Sequence, residues 1–209
     1  MGLYGEQIFP RLMDWIMGGE EFQNERRRLL TQAHGEVLEI GLGTGLNLPH
    51  YPKNLSWLHA VDPANLLPQR VVERSAEASF PIRIQRVSAE TLPFDNRCFD
   101  CVISTWTLCT IPDPMKALRE VRRVLKPDGV FLFLEHGRSE DEKIAKWQDR
   151  LNPIQRIIAC GCNLNRPIDQ LIAKADLKIN TLDRFLMPHV PRLGAEMYRG
   201  VAVLSPERR

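Results

Sequence analysis

The chain has 209 residues, of which 44% are hydrophobic and 26% charged, and a net charge of +2; these values suit one globular domain and do not favour nucleic acid as the main partner. No apolar run is long enough to cross a bilayer and the N-terminus does not have the pattern of a secretory leader, so we expect no integral membrane segment. Five cysteines without a secretory context predict reduced thiols and a cytoplasmic location.

Residues 1–34 are predicted to form a mostly helical cap. Apolar residues recur at helical spacing over 8–17, Gly18-Gly19 interrupts the pattern, and a charged helical stretch follows over 20–32. Three arrangements are open for this segment. It is a cap packed on the core with its arginines in water, a lid over an active site, or a helix that lies on a membrane surface.

Residues 36–47, with the sequence EVLEIGLGTGLN, predict a buried strand that runs into a glycine-rich turn. Glycine stands at every second position, at Gly41, Gly43 and Gly45, and the missing Cβ lets the backbone turn sharply and touch a ligand. Such a turn is a usual nucleotide cradle, because free N–H groups and the dipole of the next helix converge there. Leu46 occupies the third-glycine position of the dinucleotide fingerprint and no P-loop lysine follows, so neither pattern fits. The alternative is an ordinary strand–turn–helix without a ligand.

The next strand is predicted over 55–61 and ends at Asp62-Pro63. An acidic residue about 20 positions beyond a glycine turn is placed to bind the two hydroxyl groups of a ribose. The alternative role for Asp62 is to cap a helical segment that starts at Ala64. A helix over 66–80 and an alternating strand over 82–87 follow.

The second half of the chain continues the alternation of strands and helices. A strand over 99–105 is followed by a helix over 114–125, for which Asp113 and Pro114 are a good N-cap and first-turn pair. A turn at 126–129 leads into a strand over 130–135. The remaining predicted elements are a charged helix over 140–150, an insertion over 152–166, a helix over 167–175, and two closing strands over 177–185 and 197–204.

This order of elements predicts an α/β fold. We expect a single Rossmann-like open sheet of seven strands, mostly parallel with the last strand antiparallel, and helices on both faces. The domain is predicted over 35–209, after the helical cap at 1–34, with a helical insertion at about 139–166 that forms a wall beside the substrate. Ligands of such sheets bind outside the carboxyl ends of the strands. The glycine turn, Asp62, Ser88-Ala89 and Thr105-Trp106 all fall at such ends.

The E-x-G-x-G-x-G pattern over 39–45 resembles motif I of the class I S-adenosylmethionine (SAM) methyltransferases, and 36–135 resembles the type 11 methyltransferase domain throughout. The resemblance implies SAM as cofactor and S-adenosylhomocysteine as product. It implies that the glycine turn faces the amino-acid end of SAM, Asp62 its ribose, and 88–90 its adenine. The implied cofactor-binding residues are Glu39, Gly41, Gly43, Thr44, Gly45, Asn47, Asp62, Pro63, Ser88, Ala89, Glu90, Thr105 and Trp106. Serine stands at 88 where aspartate is commoner, so the backbone N–H of Ala89 is the firmer expected adenine contact.

Finer features resemble the alkyl-thiol branch of the methyltransferase-like group and its bacterial relatives. These are STWTLC at 104–109, LEHGR at 134–138, Trp147-Gln148 and GCNLNR at 161–166. They imply a small-molecule acceptor, with a thiol as the first hypothesis. An amine, a lipid headgroup or an oxygen acceptor stays open, as does a SAM-binding regulatory protein without catalysis. Nicotinamide-dependent reduction is a third class, against which the missing third glycine counts.

The acceptor is predicted to meet residues that follow the fourth and fifth strands. The family resemblance places Trp106 and Cys109 near the transferred methyl group, and Trp147 is the substrate contact expected from the insertion. His136, at the end of the fifth strand, is the candidate general base, because an imidazole near a thiol favours its ionisation. The alternative is a hydrogen-bonded structural histidine, and Cys109 has the alternative of a small apolar filler.

The remaining cysteines offer a metal site on paper only. Cys98-x-x-Cys101 and Cys160-x-Cys162 would supply four thiolate ligands for zinc. Cys101 lies in a predicted strand, where residues three apart point to opposite faces of the sheet. We therefore predict no metal site from this set.

Overall fold

The computed structural model describes residues 4–205, and a seven-stranded sheet runs through their centre. Its strands are β1 (Glu36–Ile40), β2 (Trp57–Val61), β3 (Ile82–Gln85), β4 (Phe99–Thr105), β5 (Leu125–His136), β6 (Leu177–Leu186) and β7 (Glu196–Leu204). They lie in the order β3-β2-β1-β4-β5-β7-β6. Strand β7 pairs antiparallel with both β5 and β6, whereas the other pairs are parallel. The predicted sheet of seven strands with an antiparallel last strand is confirmed.

Helices cover both faces of the sheet, as predicted. They are α1 (Phe9–Met17), α2 (Glu20–Leu30), α3 (Pro68–Ala76), α4 (Pro114–Val124), α5 (Glu142–Ile158) and α6 (Ile168–Lys174). A π-helical turn, Tyr4–Ile8, precedes α1, and a 3₁₀ turn, Leu48–His50, follows the glycine loop. Alternate residues of a strand face opposite layers. Accordingly, Val102 packs in the core beneath α4 and α6, while Cys101 and Ile103 pack in the core beneath α2.

The helix starts follow the capping residues of the sequence. The Asp113 carboxylate accepts a hydrogen bond from the Lys116 N–H at 2.9 Å, and Pro114 begins α4. Asp141 caps α5 in the same way through the Lys143 N–H at 2.8 Å. The glycine pair at 18–19 separates α1 from α2, because the chain leaves the helix there with an extended Gly19.

Several predicted element boundaries are wrong: the helix predicted over 66–80 is confined to Pro68–Ala76, and two larger differences concern β5 and α5. Residues 126–129, predicted as a turn, lie inside β5, because Phe99 pairs with Leu125 and Cys101 already pairs with Val130. The extra residues of β5 form a bulge in its pairing with β4. A sequence that favours a turn can also adopt such a bulge. Helix α5 continues through Pro153 to Ile158, beyond the predicted end at 150. Pro153 lies on an exposed side of the helix, where water can hydrogen-bond the carbonyl that the proline leaves without a partner.

The cap predicted over 1–34 contributes directly to the core. Leu29 and Leu30 of α2 are fully buried against the sheet. Because α2 packs into the same core as the sheet, the domain boundary at residue 34 stays a prediction from the sequence. Each helix within residues 4–205 is too short or too polar to cross a lipid bilayer. The cytoplasmic location and the lack of a nucleic-acid partner stay predictions from composition.

Candidate active site

The glycine loop joins β1 to the rest of the site and adopts the conformation that only glycine takes easily. Gly41, Gly43 and Gly45 have φ values of +79°, +59° and +82°. A Cβ on Gly41 would stand 2.2 Å from the Thr107 hydroxyl oxygen, so this glycine permits close packing within the protein. A Cβ on Gly43 would meet no atom within 4 Å. The backbone at Gly43 therefore faces open space, as a surface that receives a ligand must.

The carboxylate of Asp62 is attached to this loop. One oxygen accepts a hydrogen bond from the Gly43 N–H at 2.8 Å, and the other accepts from the Ala64 N–H at 2.8 Å. Burial raises the pKa of Asp62, and these two N–H groups oppose the rise. Helix α3 begins only at Pro68, so Asp62 is not its N-cap. Each carboxylate oxygen still has a lone pair that can accept a hydroxyl group.

Glu39 is a buried carboxylate at the end of β1. It is 1% exposed, and it accepts hydrogen bonds from Asn47 Nδ2 at 2.7 Å and from the Tyr51 hydroxyl at 2.9 Å. The same Asn47 amide donates to the Thr105 hydroxyl oxygen at 2.9 Å. Burial raises the pKa of Glu39 to about 7, although Tyr51, Asn47 and the nearby Arg26 charge each lower it. A further cation beside Glu39 would therefore be stabilised.

Arg26 is a site residue that the sequence did not reveal. Its Nε donates to Asn47 Oδ1 at 3.1 Å, and its guanidinium lies 4.6 Å from the centroid of the Trp106 ring. Burial lowers the pKa of Arg26 to about 10. Trp106 has a φ of +48°, an uncommon and strained value for an aromatic residue. The arginine–tryptophan contact thus helps to hold a strained residue at the end of β4.

Helix α1 lies against the glycine loop. The Asp14 carboxylate accepts hydrogen bonds from the Thr44 hydroxyl at 2.6 Å and from Arg74 of α3 at 2.8 Å. Arg74 also donates to the Thr44 carbonyl at 2.6 Å. A groove of about 790 Å³ runs between α1 and α3, and its lining includes Asp14, Asn65 and Arg74. Because α1 contacts the glycine loop directly, the lid stays one of the three predicted roles of the cap.

The segment predicted to meet adenine is held by its own hydrogen bonds. The Ser88 hydroxyl donates to Glu90 Oε2 at 2.9 Å, and the Asp113 N–H donates to Glu90 Oε1 at 2.8 Å. Glu90 is therefore fixed within the protein rather than simply solvated. Ala89 between them is buried, while Pro63 is exposed beyond β2.

Two thiols and an imidazole form a compact group that we call the sulfur–imidazole cluster: Cys109, His136 and Cys162. Their ligand atoms all lie within 4.8 Å of one another, and His136 Nε2 is 2.9 Å from Cys162 Sγ. His136 is 9% exposed, and within residues 4–205 no hydrogen-bond partner reaches its Nδ1. The Cys162 contact lowers the pKa of Cys109 well below its usual value, against the effect of burial and with the help of His136. That contact and burial raise the pKa of Cys162.

The cluster is connected to the glycine loop through the segment after β4. The Thr107 hydroxyl donates to the Gly41 carbonyl at 3.4 Å, and Cys109 Sγ is 3.5 Å from the Trp106 carbonyl. The Thr107 N–H donates at 3.1 Å to buried Glu135, the residue before His136. Burial raises the pKa of Glu135 to about 8, and the nearby Cys109 adds to the rise. The segment from Trp106 to Cys109 therefore borders both the loop and the cluster.

Two further groups that the sequence brought into question are Trp147 and the four cysteines. Trp147 is 53% exposed on α5 and packs against Arg150, while its neighbour Gln148 is fully buried. The substrate role of Trp147 stays a prediction. The four-cysteine zinc set does not assemble, because the sulfur–imidazole cluster is the one group of three metal-ligating side chains within residues 4–205.

Comparisons with known proteins agree with this geometry. Residues 38–133 match the type 11 family of the methyltransferase domain. The chain is 30% identical to the thiol S-methyltransferase TMT1B of Rattus norvegicus over 181 residues, which cover 80% of this chain and 74% of the rat protein. It is 30% identical to the phosphatidylethanolamine N-methyltransferase of Cereibacter sphaeroides over 168 residues, covering 77% and 80% of the two chains.

Solved structures share the fold at low sequence identity. A SAM-dependent methyltransferase of Thermotoga maritima superposes with a TM-score of 0.66 and 17% identity, covering 95% of this chain and 98% of that one. The YcgJ protein of Bacillus subtilis superposes with a TM-score of 0.64 and 16% identity, covering 90% of this chain and 99% of that one.

An open sheet with a glycine loop after β1, together with these relatives, defines the class. The chain belongs to the class I SAM-dependent methyltransferases with a type 11 methyltransferase domain. It is an enzyme of that family, and SAM is its cofactor.

Proposed function

We propose that the protein transfers the methyl group of SAM to the thiol of a small, apolar acceptor. The observation that carries the acceptor class is the recurrence of thiol S-methyltransferases, from rat and from human, among the relatives. An alignment over 80% of the chain extends far beyond the methyltransferase domain match at 38–133, and so includes residues outside the cofactor half. The human thiol S-methyltransferase TMT1A supports it, with 27% identity over 89% of this chain.

The residues that would hold SAM fit its chemistry. Gly43 presents backbone to open space, Asp62 keeps lone pairs for the ribose hydroxyls, and Glu39 is a buried carboxylate that a nearby ammonium would stabilise. The Ala89 N–H stays the expected adenine contact, with Ser88 and Glu90 fixing the segment. When bound, SAM supplies an electrophilic methyl group on a sulfonium.

The contribution of the protein to such a transfer is alignment in a site from which water is excluded. We propose that Trp106 and Cys109 border the acceptor, because the short segment that carries both contacts the glycine loop through Thr107 and enters the sulfur–imidazole cluster at Cys109. The role of His136 as general base stays a hypothesis. Its Nε2 already contacts Cys162, so a substrate thiol would have to compete with that contact.

An amine or lipid headgroup is the second candidate, on the strength of the 30% identical phosphatidylethanolamine N-methyltransferase. A matched acceptor panel separates the candidates: alkyl thiols, alkyl amines and alcohols of equal chain length, and vesicles that contain phosphatidylethanolamine. The measurement is S-adenosylhomocysteine formed with each acceptor, with mass spectrometry of the methylated product. We expect turnover with the thiols and none above background with the others.

The control for this panel is the Asp62→Ala variant, which should lose activity with every acceptor because it loses cofactor affinity. Turnover confined to amines or to the lipid would replace the thiol proposal. Tight SAM binding without turnover on any acceptor of the panel would place the acceptor outside these chemical classes.

A further inference from the structure

The sulfur–imidazole cluster has no evident structural task. Its three members come from the loop after β4, the end of β5 and the loop after α5, and two of them are buried. Thiols are weak hydrogen-bond donors and acceptors, so the hydrogen bonds among these three side chains contribute little. An apolar side chain would fill the same space as well. His136 also has an unpartnered buried Nδ1, so it is not a fully hydrogen-bonded structural histidine.

The spacing of these atoms fits tetrahedral metal coordination. With Zn–S bonds of about 2.3 Å and Zn–N bonds of about 2.0–2.1 Å, ligand atoms in a tetrahedron are about 3.5–3.8 Å apart. The three ligand atoms all lie within 4.8 Å of one another, so small side-chain rotations would bring them to these separations. The 2.9 Å contact between His136 and Cys162 would open by about half an ångström.

The kind and number of ligands indicate which metal and which role. Two thiolates with one imidazole favour a thiophilic ion, and three protein ligands are typical of sites that keep a fourth position for substrate. A thiol that coordinates such an ion loses its proton outright. The segment that carries Cys109 also touches the Gly41 carbonyl through Thr107, so the cluster borders the cofactor loop.

We propose that Cys109, His136 and Cys162 bind a thiophilic divalent metal ion, Zn²⁺ first, whose fourth position takes the sulfur of the methyl acceptor. The second part rests on the proposed thiol substrate. The acceptor thiol coordinates as a thiolate and releases its proton to solvent. A bond then forms between this sulfur and the methyl carbon as the sulfonium–methyl bond breaks, and the pair of electrons stays on the sulfur of S-adenosylhomocysteine. The neutral thioether is a weaker ligand and leaves the metal. In this proposal His136 is a ligand and not a general base.

Metal content of the full chain tests the first part. The protein is purified under reducing conditions from zinc-supplemented medium, dialysed, and assayed by elemental analysis; we expect about one zinc per chain. Cys109→Ser and Cys162→Ser should each lose most of it. Cys160→Ser and Cys98→Ser are matched controls outside the cluster and should keep it.

Replacement of zinc by cobalt tests the site in the wild-type protein, so the result does not depend on variants that could fail to fold. Co²⁺ added to metal-free wild-type protein should give strong sulfur-to-cobalt charge-transfer absorption and the intense visible bands of a tetrahedral site. An alkyl thiol added without SAM should then shift the visible bands, whereas an alcohol of equal length should not. Absence of the charge-transfer band, or a Cys109–Cys162 disulfide in place of bound metal, would overturn the site. Unchanged visible bands with thiol would overturn the open fourth position.

Failure of this proposal and failure of the thiol substrate give different results. Full thiol methylation by metal-free protein overturns the role of the metal in binding the acceptor and leaves the proposed function intact. Bound zinc with charge-transfer absorption after cobalt exchange, but no thiol methylation, supports the site and rejects the thiol acceptor.

Discussion

At the residue scale, the charge state of Glu39 depends on what lies beside it. The carboxylate is buried, and the side chains that hydrogen-bond it, Asn47 and Tyr51, are neutral. Burial raises its pKa to about 7, above the usual 4.5, so a large share of Glu39 is neutral near neutral pH when no cation lies beside it. Because the raised pKa belongs to the folded state, the contribution of Glu39 to stability is fully present below pH 4.5 and is lost as pH rises through about 7.

This pKa predicts that SAM binding strengthens as pH rises. An ammonium near Glu39 favours the carboxylate, so binding should release a proton and the affinity should rise by up to about tenfold per pH unit below pH 7. Glu39→Gln keeps the shape and removes the charge; we expect about 10- to 100-fold weaker binding and a flat profile. Calorimetry at several pH values, in buffers of different ionisation enthalpy, measures both quantities. A wild-type affinity that does not change with pH would contradict this role of Glu39.

Single residues mark the limit of prediction from sequence. Glu39 and Asp62 could be identified because they stand at fixed distances from the glycine turn. Arg26 could not, because an arginine in a charged helix gives no sign that its guanidinium packs on Trp106. The meeting of the sulfur–imidazole cluster was not predicted for a related reason. Cys109 and His136 were identified as acceptor residues and Cys162 only as part of a four-cysteine set, because the three are far apart in sequence and nothing local shows that they meet.

At the element scale, buried apolar runs predicted the strands and capping residues predicted where helices start. Strand β4 was predicted over the residues that form it, because both of its faces are buried and its sequence is correspondingly apolar. Helix α4 was predicted from Asp113 and Pro114. The errors at β5 and α5 occur where tertiary pairing overrides local turn or breaker residues. Neither a bulge at 126–129 nor a helix across Pro153 can be recognised from local sequence alone.

The glycine loop offers a matched pair of substitutions. Gly43→Ala should cost about 1 kcal/mol of stability from backbone strain, yet remove most SAM affinity, because the added methyl points to open space that a ligand would fill. Gly41→Ala should instead cost about 2–3 kcal/mol, because its Cβ would overlap Thr107. Urea unfolding gives the stabilities and calorimetry gives the affinities. If Gly43→Ala binds SAM like the wild type, the cofactor does not contact this backbone.

Helix α1 is expected to slow the dissociation of SAM. Asp14→Ala removes the contacts to Thr44 and Arg74 that hold α1 on the loop, so we expect about tenfold faster dissociation. Stopped-flow displacement of a fluorescent SAM analogue measures the rate. Glu73→Ala, which removes an exposed carboxylate from α3, is the control and should not change it. Equal dissociation rates for the two variants would show that α1 is a structural cap and not a lid.

At the scale of the whole molecule, the site connects parts of the chain that are far apart in sequence. Asp14 of α1, the loop after β1, Asp62 after β2 and Thr107 after β4 meet at one edge of the sheet. The strand order forces this meeting, since β1 lies between β2 and β4. These segments come together only in the folded chain. A ligand that contacts all of them therefore binds the folded state and stabilises the whole domain.

This connection predicts a large thermal shift on SAM binding. A ligand at 100 times its Kd stabilises the folded state by about 2.7 kcal/mol. For a chain of 209 residues, that corresponds to a rise in Tm of about 5–10 °C. Differential scanning calorimetry with SAM and S-adenosylhomocysteine tests it, with NADH at equal concentration as the control for the nicotinamide alternative. Asp62→Ala should lose most of the shift relative to its own ligand-free Tm, because the ribose loses its carboxylate and the loop loses its anchor. A shift with NADH and none with SAM would reverse the cofactor assignment, while a full shift in Asp62→Ala would remove only the ribose contact.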